Sequence, residues 1–353
     1  MPNTSTRTLA QLSTRYRSAS LLGALAVAAL VPLATAVMPE EAEACACGCG
    51  VFDVGANILS AMPSGANGAS VWFRYDYMDQ DQNWEHGSKA PASDNQDKDI
   101  NTSFYTVGGE YEINQNWTVL AELPVYGRQL ETTDDGTVFG PAGGVYTGHL
   151  TDLGDMQLAA TYTGFAPDQS SGVMFGVKLP TGNYTGPNGP LGGSEFDRDS
   201  LPGTGSTDLM LGGYHTGDFG AIDALSYFVD GKYQAAVLTR DSYRPGNEFD
   251  AAAGLSYDFG KAGPLDDFAG VLQFINSYRM HDTGANADPL NSGYERVLIA
   301  PGFTLQLHQF RVFADIEVPI HQYTNAASSV AIEGTSGQLV ASTLYKFQVA
   351  YDF

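Results

Sequence analysis

The end of this chain alternates without a break. Thr343, Tyr345, Phe347, Val349, Tyr351 and Phe353 fall on one parity, and Lys346, Gln348, Ala350 and Asp352 on the other. A period of two places successive side chains on opposite faces of a strand, here one apolar and one polar. The same alternation recurs from residue 69 onward. It predicts strands near 69–79, 101–113, 117–130, 154–164, 172–182 and 205–216, then near 223–237, 249–259, 267–280, 293–307, 309–323 and 338–353. Trp117, Val119, Ala121, Leu123 and Val125 form one apolar face. Val173, Phe175, Val177 and Leu179 form another, and Phe310, Val312, Ala314, Ile316, Val318 and Ile320 a third. These segments exceed the five or six residues usual for strands of soluble sheets.

The connections sort into two kinds. Those after odd-numbered strands are long (80–100, 131–153, 183–204, 238–248, 281–292, 324–337), and those after even-numbered strands are mostly short, down to His308 alone. Long and short connections alternating along an even number of strands describe an antiparallel transmembrane β-barrel of about 12 strands. Short turns then lie on the periplasmic rim and long loops on the outer rim. A secreted β-sandwich would bury the same apolar faces as a core, but has no reason to segregate its loops.

The start of the chain is consistent with export. Residues 1–19 carry Arg7, Arg15 and Arg17 and no acid. The apolar run Leu21–Leu33 follows, and then small-x-small sites ending at Ala36 and Ala44. This is the order of a secretory signal peptide, with cleavage after Ala36 or Ala44. The expected organisation is a signal peptide at 1–44, an N-terminal segment at 45–68 and a barrel at 69–353, located in the bacterial outer membrane. The net charge of −23 argues against nucleic acid as a partner, since phosphate recognition needs a basic surface. With no stretch after residue 40 near the roughly 18 apolar residues of a membrane helix, an α-helical membrane protein is excluded.

If the apolar parity faces lipid, the other lines the lumen. That parity carries Arg74, Asp76, Glu110, Glu122, Arg128, Lys178, Asp230, Lys232, Arg296, Arg311, Asp315 and Glu317 as lumen-lining candidates. Segment 267–280 is ambiguous, because Leu272 and Phe274 compete with Val271 and Ile275 for the outer face. Mixed charges can line a hydrated pore or form a closed interior whose buried ions are paired. The acidic stretches Asp79–Asp99 and Glu195–Asp199 are candidate calcium sites, with a solvated surface as the alternative.

Three short motifs stand between residues 154 and 214. They are Gly154-Asp155-Met156-Gln157-Leu158, then Lys178-Leu179-Pro180-Thr181-Gly182, then Gly203-Thr204-Gly205-Ser206-Thr207-Asp208. Pro and Gly suit a strand reaching its rim and turning into a loop. Together the motifs resemble a family of bacterial outer-membrane channels associated with the meta-pathway of phenol degradation, itself distantly similar to the long-chain fatty-acid porins. The resemblance covers about 60 residues and implies passage of small, often aromatic or apolar solutes. It implies no catalytic residue and no required cofactor. A terminal Phe353 after alternating aromatic residues also resembles the signal read by the bacterial barrel-assembly machinery. Expected partners are therefore that machinery, outer-membrane lipid and a small-molecule solute.

Two further readings stay open. Cys45, Cys47 and Cys49 are spaced to converge on a soft ion such as Cu(I) or Zn(II), or to serve a redox partner. A closed scaffold barrel carrying such a site is thus an alternative to a channel. Residues 51–62 place Val51, Val54, Ile58 and Met62 at helical spacing, either as a lumen plug or as an unstructured lead. The second alternative is an outer-membrane lipid hydrolase. The sole His-x-Ser, His86-Gly87-Ser88, lies in a polar connection, and His215 and His321 have no serine at that spacing.

Overall fold

The computed structural model describes residues 68–133, 144–185, 196, 198–326 and 337–353. The expected signal peptide, the cysteine cluster and the segment 51–62 lie outside these residues. Among the described residues fourteen strands follow in order: β1 (Ala69–Glu85), β2 (Ser88–Lys89), β3 (Asp97–Asn114), β4 (Trp117–Thr133), β5 (Val145–Leu153), β6 (Met156–Tyr162) and β7 (Ser171–Leu179). Then come β8 (Thr207–Asp218), β9 (Leu225–Leu238), β10 (Glu248–Asp258), β11 (Asp267–Arg279), β12 (Tyr294–Leu307), β13 (Phe310–Thr324) and β14 (Gln338–Asp352).

Neighbouring strands pair antiparallel, and β14 pairs with β1, so the sheet closes on itself. Twelve wall positions result. The two-residue β2 is a flap on β1, and β5 and β6 share one position, both pairing with β4. Closure removes the free edges of an open sheet. The turn between β12 and β13 is very tight, and His308 there takes the left-handed conformation (φ 56°) that twisted hairpins favour.

The pleat divides the residues. Along β1, Trp72, Arg74, Asp76, Met78 and Gln80 are buried, whereas Val71 and Phe73 are exposed. On β3 the outward residues are apolar from Tyr105 to Ile113 but polar above, at Ser103, Asn101 and Asp99. On β4 they are apolar from Trp117 to Val125, then Gln129 and Glu131 follow. About nine residues per strand is the length a tilted strand needs to cross a hydrocarbon layer. Val107, Phe175, Leu209 and Ile320 each expose more than half of their surface on this band, which needs lipid around it.

The wall has uneven height. β6 and β7 stop near the top of the apolar band, whereas β1, β3 and β4 continue beyond it. On that taller side β5 runs along the upper half of β4 from Val125 to Thr133. Residues 131–153, expected as one long connection, therefore contain a strand. Outward from β5 stand Val145, Thr147, His149, Thr151 and Leu153, while Gly148 and Leu150 are buried. Among the described residues β5 pairs only with β4, and its other edge lies at a level where water can satisfy backbone groups. β1 likewise extends past its expected end at 79, so Asp81 belongs to a strand and not to a loop.

Candidate functional site

All twelve lumen-lining candidates occupy the inward parity of their strands. Most of the charges are held in pairs. Arg74 Nε lies 3.1 Å from Asp76 Oδ2, Lys346 Nζ 2.8 Å from Glu317 Oε1, and Arg311 Nη2 2.7 Å from Asp352 Oδ1. Arg311 also approaches Glu110 at 3.8 Å. Lys232 lies 3.9 Å from Asp250, which accepts from Ser277 Oγ at 2.6 Å. Gln273 donates to Asp315 at 2.8 Å, and Arg296 lies over the Tyr294 ring at 4.7 Å. Asp230 faces inward next to Tyr214 and Ala252, and Glu122 next to Gly108 and Gln157. In β11 the ambiguity resolves with Val271, Ile275 and Arg279 inside and Leu272 and Phe274 outside.

Between these charged rows the inner wall carries an apolar layer that the sequence reading did not contain. Met78, Phe104, Phe228, Ile275, Leu298 and Leu344 belong to one buried cluster with Ala252, Val271, Ala300 and Ala341. They come from β1, β3, β9, β10, β11, β12 and β14, which follow one another around the wall with β13 alone left out. Tyr126 and Tyr214 pack against them, with Phe104 and Tyr126 edge to face at 4.8 Å. The signal for this layer was present in 267–280, where both parities are apolar.

The three sequence motifs converge at one place on the upper lumen wall. Lys178 Nζ lies 3.3 Å from Asp155 Oδ2 and 3.0 Å from Asp208 Oδ2, and donates to Thr204 Oγ1 at 2.5 Å. Asp155 accepts from Gly182 N at 3.0 Å, Thr204 N at 2.9 Å and Thr204 Oγ1 at 2.7 Å. Asp208 accepts from Ser206 Oγ at 2.5 Å and Gln234 Nε2 at 2.8 Å. Thr181 Oγ1 donates to Gly154 O at 3.0 Å and accepts from Met156 N at 2.8 Å. Pro180 occupies the step between Leu179, the last residue of β7, and Thr181. Two chain segments cross here with almost no space, since a Cβ on Gly203 would lie 2.4 Å from the Gly182 carbonyl carbon. Gly205 takes φ 68°, which admits a side chain only with strain. The knot ties the tops of β6, β7 and β8 together, where the wall is lowest.

Beneath the outer loops lies a chamber of about 140 Å³. Lys178, Asp208, Lys232, Gln234, Glu248, Arg279 and Tyr126 line its wall, and Arg198, Leu201, Thr204 and Tyr243 its roof. Tyr243 donates to Asp282 at 2.6 Å, and burial pushes its phenol well above the ordinary value, so it stays a donor. Arg279 reaches the same carboxylate at 2.6 Å. Arg198, Tyr243 and Asp282 were absent from the sequence reading, because they sit in connections that carry no periodic signal. Among the described residues no group of three or more His, Cys, Asp or Glu is placed to hold a metal.

No protein-family model matches the chain, and no curated protein does. Among solved structures it is similar to an outer membrane channel from Pseudomonas putida F1, with a TM-score of 0.60 over 86% of this chain and 100% of that one, at 10% identity. The fold is that of an outer-membrane β-barrel. Looser overlaps occur with the toluene transporter TbuX of Ralstonia pickettii (TM-score 0.39, 11% identity, 87% of this chain and 96% of that one) and with a FadL homologue of Pseudomonas aeruginosa (TM-score 0.39, 12% identity, 89% and 99%). At such identities and scores these two carry no argument. The barrel's apolar belt and closed wall agree independently with a lipid setting.

One lipid-facing feature had no sequence signature. Ser171 Oγ of β7 lies 2.8 Å from His215 Nδ1 of β8, and His215 Nε2 lies 3.1 Å from the Tyr227 hydroxyl of β9. These residues are 44 and 12 apart in the chain, and only the strand register brings them together.

Proposed function

We propose that this barrel is an outer-membrane channel for small, apolar or aromatic solutes, by passive or gated diffusion. The observation that carries the reading is the apolar layer inside an otherwise charged lumen. An apolar constriction repels ions by dewetting while letting an uncharged solute partition into it. The paired charges above and below keep the remainder of the lumen polar without leaving free ions there. Liposomes carrying the folded protein should take up small uncharged aromatic solutes faster than empty vesicles, with little ionic conductance in a planar bilayer. Uptake equal to that of empty vesicles would leave a closed scaffold barrel as the reading. In that case the Cys45, Cys47 and Cys49 segment is the place to seek a bound soft metal or a redox partner.

A second reading has one specific observation in its favour, the Ser171–His215–Tyr227 arrangement on the lipid side near the short-turn rim. A serine hydroxyl bonded to an imidazole, held in turn by a third group, is the arrangement of an activated nucleophile. Ser171 Oγ would attack a lipid ester carbonyl while His215 Nδ1 takes its proton. That proton then passes to the leaving alcohol, and water, deprotonated by the same nitrogen, releases the fatty acid. Under this reading, vesicles of phospholipid release fatty acid with the native chain and lose that release with Ser171→Ala, solute uptake being unchanged. No release by the native protein removes the hydrolase.

A further inference from the structure

The outer mouth of the barrel contains part of its own chain. Between β7 and β8, Phe196 and the residues 198–206 turn into the lumen. Phe196 (3% exposed) and Leu201 (7%) cluster there with Ile100, Leu130, Leu150 and Leu339, inward side chains of β3, β4, β5 and β14. Nothing in local sequence demands this burial, because the surrounding run of Gly, Pro and Ser reads as a surface loop. Arg128 of β4, 3% exposed, holds the segment from the side. Its Nε donates to Thr102 Oγ1 at 2.9 Å and its Nη1 donates to the Ser200 carbonyl.

Arg198 braces the segment from within. It donates to the Gly203 carbonyl at 3.1 Å and the Thr204 carbonyl at 2.6 Å. Its guanidinium lies 4.4 Å from the Tyr243 ring centre and 5.2 Å from that of Tyr184. The foot is anchored by the Asp155–Lys178–Asp208 knot. An exposed loop would have no use for a buried arginine aimed at its backbone, since burying a guanidinium is costly unless its bonds are made.

We propose that Phe196 and Arg198–Ser206 form a stopper that sets which solutes reach the chamber from outside, and that Arg128 is the residue positioning it. The size-selecting role rests on the channel reading above, whereas the closure of the outer mouth does not. A probe of access separates the two. The full chain would carry Cys45, Cys47 and Cys49 as serine and Gln157→Cys, which places a thiol in the chamber wall. Intact cells would be treated from outside with a membrane-impermeant, charged thiol reagent.

Labelling of this thiol should be slow with Arg128 in place. With Arg128→Ala it should be about tenfold faster, the population shift expected on losing a charge-assisted hydrogen bond. Leu201→Ala should accelerate it too, and Arg128→Lys should restore part of the protection. In liposomes, both loosened variants should admit larger solutes than the native barrel at a similar rate for the smallest. Equal labelling in the native protein and in both folded variants would overturn the stopper. Faster labelling with no solute uptake by any form would keep the stopper and sink the channel reading. Uptake with an unchanged size limit would keep the channel and remove the selecting role.

Discussion

Replacing Lys178 with methionine should destabilise the barrel by about 3–5 kcal/mol, the cost of leaving buried charge without its counter-ion. Two carboxylates share this ammonium, and the side chains of Lys178, Asp155 and Asp208 are 8%, 5% and 3% exposed. The donors that remain, from Gly182, Thr204, Ser206 and Gln234, solvate the anions without neutralising them. Urea titration of the refolded protein, followed by heat-modifiable gel mobility, reads the loss. Lys178→Arg should recover most of it. Adding Asp208→Asn to Lys178→Met should also recover part, because the two sites share one interaction and their effects are not additive. A change below about 1 kcal/mol, the range of an exposed ion pair, would show that water reaches the knot.

The second large effect concerns conduction. Phe228→Ser and Leu298→Ser each place a hydroxyl in the layer where the native side chains are 2% exposed. Water can then bridge the charged rows on either side, and the barrier to ions falls. A drop of about 1.4 kcal/mol in that barrier raises single-channel conductance tenfold. The control is Leu272→Ser, which changes the lipid face of the neighbouring strand and should leave conductance unaltered. If Phe228→Ser and Leu298→Ser, both folded, remain as silent as the native protein, the ion barrier lies elsewhere, at the stopper.

Much of the wall was legible because lipid imposes a strict rule on outward residues. β13 shows this well, since Phe310 to Ile320 alternate with Arg311, Asp315 and Glu317. β5 was missed for the complementary reason. Above the hydrocarbon layer outward residues are free to be polar, so Thr147, His149 and Thr151 face out while Leu150 faces in, and the familiar sign of the pattern is reversed. The interior was only half legible. Charged residues announce the inward parity, but Met78, Phe104 and Phe228 share it, and their gathering into one cluster depends on the order and register of the strands. The motif residues Asp155, Lys178 and Asp208 could be named from the chain, yet their meeting required the β6–β7–β8 register. Long-range pairs such as Ser171 with His215 carry no mark in either local sequence.

The pairing of β14 with β1 has a consequence for biosynthesis. Gln80 bonds the backbone of Leu339 across 259 residues of chain. Until the final strand has been made and exported, β1 presents an unpaired edge and the charged lumen side chains have no enclosure. Contacts of such sequence separation form slowly and leave intermediates exposed to aggregation. A product truncated before β14 leaves β1 and β13 with unpaired edges, so the wall cannot close as it does here. Such an open-edged sheet should aggregate and not work as a smaller pore.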